Sequence, residues 1–403
     1  MANTPEAAPQ SKKHFHIPPF VRRILVFLLI VLIALTAWTY RAYLTPEYIR
    51  NWVQTNLLGY TDGDGFPVSL GSNTVNRGNL TVENGTPAVV GKTTYLHLSG
   101  GGKTLALRQH GYTNPVLTRN KNRFLLYDLG GKSFRVSENG TDFTETAQYD
   151  YSIYCGAIAA NGSYAIVSAS NGYTSQVTVF DRNGQKLFTW ASQNYLINAI
   201  SFSADSSKIV ATAFTSDKGE LLSCAMVFSL HSSEPLISYD LGENAALAAV
   251  FIDNDTVLTV GDTATVRLQI SDEKSTVYNY NGRVLSAYDL NQNGALLALS
   301  ASADGRNGTL VHLNTALKST DILRFSQALD SVQLSEAGVV TLSNGTVALY
   351  DDHGTRLESI DAGSDALCAK LSNGTCFVLG VSEIRAFSFQ NALRTESGTA
   401  SAA

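Results

Sequence analysis

The chain has 403 residues, 44% hydrophobic and 16% charged, with 29 Lys+Arg against 34 Asp+Glu for a net charge of −5. That much apolar material excludes a wholly disordered chain, and the lack of a basic excess argues against a nucleic-acid binder, which must neutralise phosphates. Four Cys exclude a disulfide-dense scaffold, and the length fits roughly two or three ordinary domains or one large β architecture.

Residues 24–40 (ILVFLLIVLIALTAWTY) carry no charge over 17 positions. As a helix rising ~1.5 Å per residue they span about 26 Å, enough for a hydrocarbon core with snorkelling at the ends. Arg22 and Arg23 border one end and Arg41 the other, and Trp38 and Tyr40 sit at an interfacial belt. Lys12, Lys13, Arg22 and Arg23 before the span outnumber Arg41 and Arg50 after it. This bias predicts a cytoplasmic tail over 1–23, an uncleaved signal anchor and an external C-terminal domain at the cell membrane. The apolar run also exceeds the ~7–15 residues of a cleaved signal core. The tail carries a net +3, leaving −8 for the rest; its Pro-rich polar composition predicts disorder. A neck follows over 41–65. Thr45, Pro46 and Glu47 read as N-cap, first position and first-turn acid of a short helix with Ile49, Trp52, Val53 and Leu57 on one side. Asp62-Gly63-Asp64-Gly65 resembles the start of a calcium loop, but the later ligands are missing, so a hinge turn is expected.

From 66 to 390 the pattern becomes short β-strands. Apolar runs of four to seven residues alternate with turn signals, and Asn-Gly occurs ten times between 84 and 373. Asn-Gly favours type I′ hairpins because both residues tolerate positive φ. The segment repeats itself: SFSADSSKIVATAF (201–214), DLNQNGALLALSAS (289–302) and AIAANGSYAIVSAS (157–170) are each strand, polar turn, strand. A third and a fourth strand follow, giving an antiparallel meander labelled A to D. Eight A strands are expected to start near Asn79, Pro115, Tyr154, Ile197, Ala248, Val284, Ser331 and Cys368. Their spacing of 36–51 residues suits the blades of an all-β propeller. Eight blades are favoured and seven are possible, with a stacked β-sandwich array as the alternative architecture. The last unit supplies only A, B and C; its missing D strand is available in FPVSL (66–70), which would close the ring and remove exposed edges. Residues 391–403 read as a small polar tail expected to be disordered.

The pattern is similar to WD40-like and YVTN-like propellers, without their signature motifs. The basic tail and anchor, the TPEYIRNWV neck, GDGFPVSL before the first blade and HGYTNPVLTRNKNRFLLYDLGG at 110–131 resemble an uncharacterised family of single-pass membrane proteins of Gram-positive anaerobes, the domain of unknown function 5711. The resemblance covers about residues 20–390 and implies no activity, and propellers host enzymes, scaffolds and sensors alike.

No catalytic constellation, cofactor fingerprint or metal-ligand spacing emerges. His97 and His312 fall on C strands, away from the channel, and each external His is expected to be exposed or hydrogen-bonded. With Asn373-Gly374 as a two-residue turn, Cys368 and Cys376 stand three rungs apart, roughly 10 Å and too far to bridge, so buried free thiols are expected. Gly102-Lys103-Thr104 matches the end of a P-loop, but no helix follows, and a C–D turn is the better reading. One enrichment stands out. The D–A connections, which share a face with the B–C loops, carry Tyr112, Asn114, Tyr149, Tyr151, Tyr195, Asn198 and Tyr278. Tyr and Asn on a rigid ring suit recognition of protein or glycan through apolar faces with polar tips; the competing reading packs these Tyr between blades. The leading expectation is therefore a membrane-anchored extracytoplasmic propeller that binds or scaffolds a protein or glycan partner at the cell envelope, with no cofactor. A metal-dependent hydrolase or lyase with its site in the channel is the alternative.

Overall fold

A computed structural model describes residues 65–145 and 149–389. The expected membrane span, neck and C-terminal tail lie outside them. Among the described residues no helix is long and apolar enough to cross a membrane.

Eight four-stranded antiparallel sheets form an eight-bladed propeller. The A strands are Leu80–Glu83, Pro115–Asn120, Ile153–Ile158, Leu196–Phe202, Ala246–Phe251, Val284–Asn291, Ser331–Ser335 and Ala366–Ser372. All eight begin within two residues of the positions expected from the repeat. Consecutive A strands adjoin around the axis, blade 8 against blade 1 included. Blade 8 is completed from the other end of the domain. Val68–Ser69 lies against its C strand, with Val68 opposite Ile384 and Ser69 opposite Glu383. This is the closure the missing fourth strand required.

The turns follow the local chemistry. Asn84-Gly85, Asn344-Gly345 and Asn373-Gly374 have positive φ at both residues, as type I′ hairpins demand. The turn at Asn373 sets the expected register, with Cys368 opposite Leu379 and Leu371 opposite Cys376. All four cysteines are free and buried, and burial pushes the Cys224 and Cys368 thiols up to about 11. Several C–D turns are built on one acid or amide. Asp181 Oδ1 accepts the amides of Asn183 and Gln185, and Asp351 Oδ1 those of His353 and Thr355. Asn314 does the same for Ala316 and Lys318. These Asx turns explain why an Asp or Asn ends so many C strands.

The core is divided. Each of eight buried apolar clusters fills one contact between neighbouring blades. Both faces of a blade are therefore buried, which is why its B strands read as continuous apolar runs such as Phe124–Tyr127 and Leu296–Leu299. The apolar contact between blades 1 and 2 also encloses a histidine. His97, on the C strand of blade 1, is 5% exposed, and neither ring nitrogen finds a partner among the described residues. Its ring lies 5.0 Å from that of Phe124, over which the Arg119 guanidinium sits at 4.6 Å. Burial, and secondarily the Arg119 charge, lower its pKa to about 3. So His97 is on the expected strand, but it is neither exposed nor hydrogen-bonded: among the described residues no polar atom comes within hydrogen-bond distance of its ring.

Candidate functional site

Two regions have the geometry of a recognition site. One is the face formed by the D–A connections and B–C loops. The other is the central channel where the A–B turns surround it.

On the loop face, the seven residues expected to bind are placed unevenly. Tyr112 is buried in the contact between blades 1 and 2, with the Arg135 guanidinium 5.6 Å from its ring centre. Tyr149 is half-buried against Phe134, bonds Thr178, and has its phenol pushed up to about 12 by burial. Tyr195 packs on Trp190, and the Tyr278 hydroxyl accepts a bond from Arg283 Nη2 at 3.3 Å. Asn198 joins two blades: its Nδ2 donates to Ala246 O at 2.8 Å, and its Oδ1 accepts from Thr212. Asn114 is exposed, with its backbone amide donating to Asp128 Oδ1 at 2.7 Å. Tyr151 stands exposed.

Tyr151 also belongs to an arc of large apolar side chains on the same face, the rest of which the Tyr/Asn pattern did not disclose. Leu129, Tyr151, Tyr173, Leu196, Leu221 and Leu247 follow one another from blade 2 to blade 5, alternating between B–C loops and A-strand starts, and all are exposed. The B–C hairpin of blade 4 is the longest of the ring. Its strands, Lys208–Asp217 and Glu220–Ser229, pair through to Asp217 opposite Glu220. This length carries Leu221, 62% exposed, out at the hairpin tip. Around this part of the face Asp150, Asp217, Glu220, Glu243 and Asp262 are exposed, with Lys218 among them.

The second region is a cavity of about 1230 Å³ at the opposite end of the channel. It is lined by the last residues of the A strands of all eight blades and by the A–B turns of every blade but the fifth, and by none of the seven expected residues. Its charges are largely compensated within the wall. Glu83 Oε1 accepts the Lys121 amide at 2.7 Å. Asp289 accepts the Leu334 amide and lies 3.6 Å from Lys370 Nζ. Arg119 is turned into the wall, donating to Thr86 O and Oγ1 at 2.7 Å each. Among the described residues no group of three or more His, Cys, Asp or Glu is placed to hold a metal ion.

Five of the wall contacts are side-chain clamps that lean from one blade onto the backbone of the next. Glu83 holds Lys121 N, Asn120 holds Ile158 O, and Ser372 holds Gly85 N. Asp289 and Asn291 together hold Leu334 N and O. Gln333 alone holds Leu371 N and O, at 2.6 and 3.1 Å. An A strand is the inner edge of its sheet, so its outward N–H and C=O groups have no strand to pair with. At Ile158, Leu334 and Leu371 the clamps supply that pairing, while Lys121 and Gly85 are held in the A–B turns.

Four-stranded blades around a channel, closed by a strand from the other end of the domain, define an eight-bladed β-propeller. The chain belongs to the family described as a family of unknown function (DUF5711), which it matches over residues 93–375. No curated protein matches it. Among solved structures it is similar to BamB from Moraxella catarrhalis, at 8% identity and a TM-score of 0.53 over 80% of this chain and 100% of that one. It is also similar to quinohemoprotein alcohol dehydrogenase from Comamonas testosteroni, at 8% identity and a TM-score of 0.60 over 81% of this chain and 76% of that one. Likenesses at this identity establish the fold.

Proposed function

We propose that the protein is a membrane-anchored extracytoplasmic binding module whose propeller engages a partner protein at the cell envelope through its loop face. The observation that carries this reading is the arc from Leu129 to Leu247. Exposed large apolar side chains scattered singly need no explanation, but a run of them along one face marks an interaction surface. The acidic side chains around it favour a partner that offers apolar anchors among basic residues. The chain enters and leaves the ring on the other face. Gly65 O lies against the C–D turn at Gly102, and the Phe389 amide donates to the A–B turn at Gly374. The charge-free stretch 24–40 and the basic residues before it support the anchor and its orientation.

The test is in-cell photocrosslinking from position 221, with captured proteins identified by mass spectrometry. One envelope protein should be captured reproducibly. Leu196→Ser, Leu221→Ser and Leu247→Ser should each weaken its binding to the purified protein about tenfold, the cost of one apolar anchor, without moving the thermal midpoint. Unchanged binding in all three variants would sink the reading.

A further inference from the structure

We infer that the channel cavity on the A–B face is occupied by the chain's own residues 390–403, which lie across its mouth between Glu336 and Lys121. Three features bring them together: the point at which the chain leaves the ring, two unpaired charges at the mouth, and the charges and side-chain sizes of the residues that follow.

The last described strand, Glu383–Ser388, is the C strand of blade 8 and ends on the A–B face. Phe389 then donates its amide to Gly374 O at 2.9 Å, beside Asn373, which lines the cavity. A C strand stands two strand spacings, about 10 Å, outside the A strand of its blade. A chain extended at about 3.3 Å per residue covers that distance in about three residues. Residues 390–403 supply fourteen, so they reach the mouth with most of their length left to lie in it.

Inside the wall the charges are matched. Glu83 accepts the Lys121 amide, Asp289 lies against Lys370, and Arg119 donates to Thr86. At the rim two are not. Lys121, in the A–B turn of blade 2, and Glu336, in that of blade 7, are exposed and line the cavity. Among the described residues neither side chain has an ion pair or a hydrogen bond. They flank the exit of the chain at blade 8: Glu336 stands one blade away on one side, and Lys121 two blades away on the other.

Residues 390–403 read QNALRTESGTASAA and carry one base, Arg394, and one acid, Glu396. The segment therefore brings one opposite charge for each of the two unpaired side chains at the rim, Arg394 for Glu336 and Glu396 for Lys121. Nine of its other twelve residues are Ala, Ser, Thr or Gly. Such small side chains fit beside Ala157, Ala160, Ala204 and Ala249 of the wall and bring no further charge into it. The same composition supplies no core of its own, so the segment gains order only from a surface it lies on. Tethered at Phe389, it competes for the cavity at an effective concentration on the order of millimolar, and an outside ligand of the channel has to displace it.

The test uses full-length protein in detergent with a photoreactive benzoylphenylalanine in place of Leu393. After irradiation the crosslinks are mapped by mass spectrometry. They should join position 393 to residues that line the cavity, within one chain and with a yield independent of protein concentration. Arg394→Glu with Glu396→Lys should lower that yield about threefold or more, because both attractions become repulsions. Lys121→Glu with Glu336→Lys should do the same. All four changes together should restore the yield, which a loss of folding could not do. The inference is overturned if no crosslink within the chain reaches the cavity, if the crosslinks there join two copies, or if the four combined changes leave the yield as low as either pair alone.

Discussion

His97 shows how one side chain ties the stability of the ring to pH. Folded, it stays neutral down to about pH 3 because burial first, and Arg119 second, oppose its charge. Unfolded, it titrates near the ordinary value of 6.5. Above that value the imidazole is neutral in both states and its contribution to stability is fully present. As pH falls below 6.5 only the unfolded chain takes up the proton, and stability is lost progressively until the folded group also titrates. At pH 4.5 the loss should be on the order of 2 kcal/mol relative to pH 7.5. His97→Leu should remove this part of the acid-side decline. Urea unfolding of both proteins at the two pH values measures it; parallel declines would show that His97 is not the group responsible. The sequence places His97 on a C strand without difficulty. It does not show that Phe124 and Arg119, from the next blade, close over it, because that contact joins residues distant in the chain.

The inner strand with its clamp is the element that decides how firmly two blades are joined. Gln333→Ala would leave both Leu371 N–H and Leu371 C=O without their partner. A buried or half-buried polar group left unsatisfied costs about 1–3 kcal/mol, so the urea midpoint should fall clearly. Ser201 holds the same position in blade 4 and, among the described residues, has no side-chain hydrogen bond with a neighbouring blade, so Ser201→Ala should change stability by roughly 0.5 kcal/mol or less. Equal effects of the two changes would refute the clamp as a stabilising device. Strand order, hairpin turns and register were legible at this scale, because alternation, Asn-Gly and strand length are local signals. The clamps were not. Asp289, Asn291 and Gln333 read as ordinary polar positions at a hairpin, and nothing local tells a residue facing solvent from one bonded to the next blade. The same limit applies to the loop face. A Tyr in a D–A connection has the same composition signal whether it is buried, as Tyr112 is, or exposed, as Tyr151 is.

At the scale of the whole ring, closure depends on a strand of two residues. Blade 8 is held to the N-terminal side of the domain by Val68 and Ser69 alone among strand pairs, whereas the D strands of blades 3 and 4 run seven and eight residues. The hydrophobic cluster that includes Phe66, Val68 and Leu70 adds packing to that seam. Removing everything before Gly71 should expose the edge of the Glu383–Ser388 strand, lower the unfolding midpoint and produce associated species on size exclusion, since an open edge pairs with other chains. A monomer of unchanged stability would show that the two-residue strand is dispensable. Eight units and this closing strand were legible because the last repeat lacks exactly what the first segment supplies. The cavity was not, because it is made jointly by residues of all eight blades.

The chain joins the ring and departs from it at the same end of the axis, by Gly102 and by Gly374. A tag fixed at either terminus therefore meets the propeller at its A–B side. Protein captured on a sensor surface by one end, and then by the other, should expose the Leu129–Leu247 arc to analyte equally well, while large analytes directed at the channel mouth should be the ones hindered. The handling of the molecule thus follows from its topology, and an assay of the two faces can be arranged by choosing what is presented rather than by altering the protein.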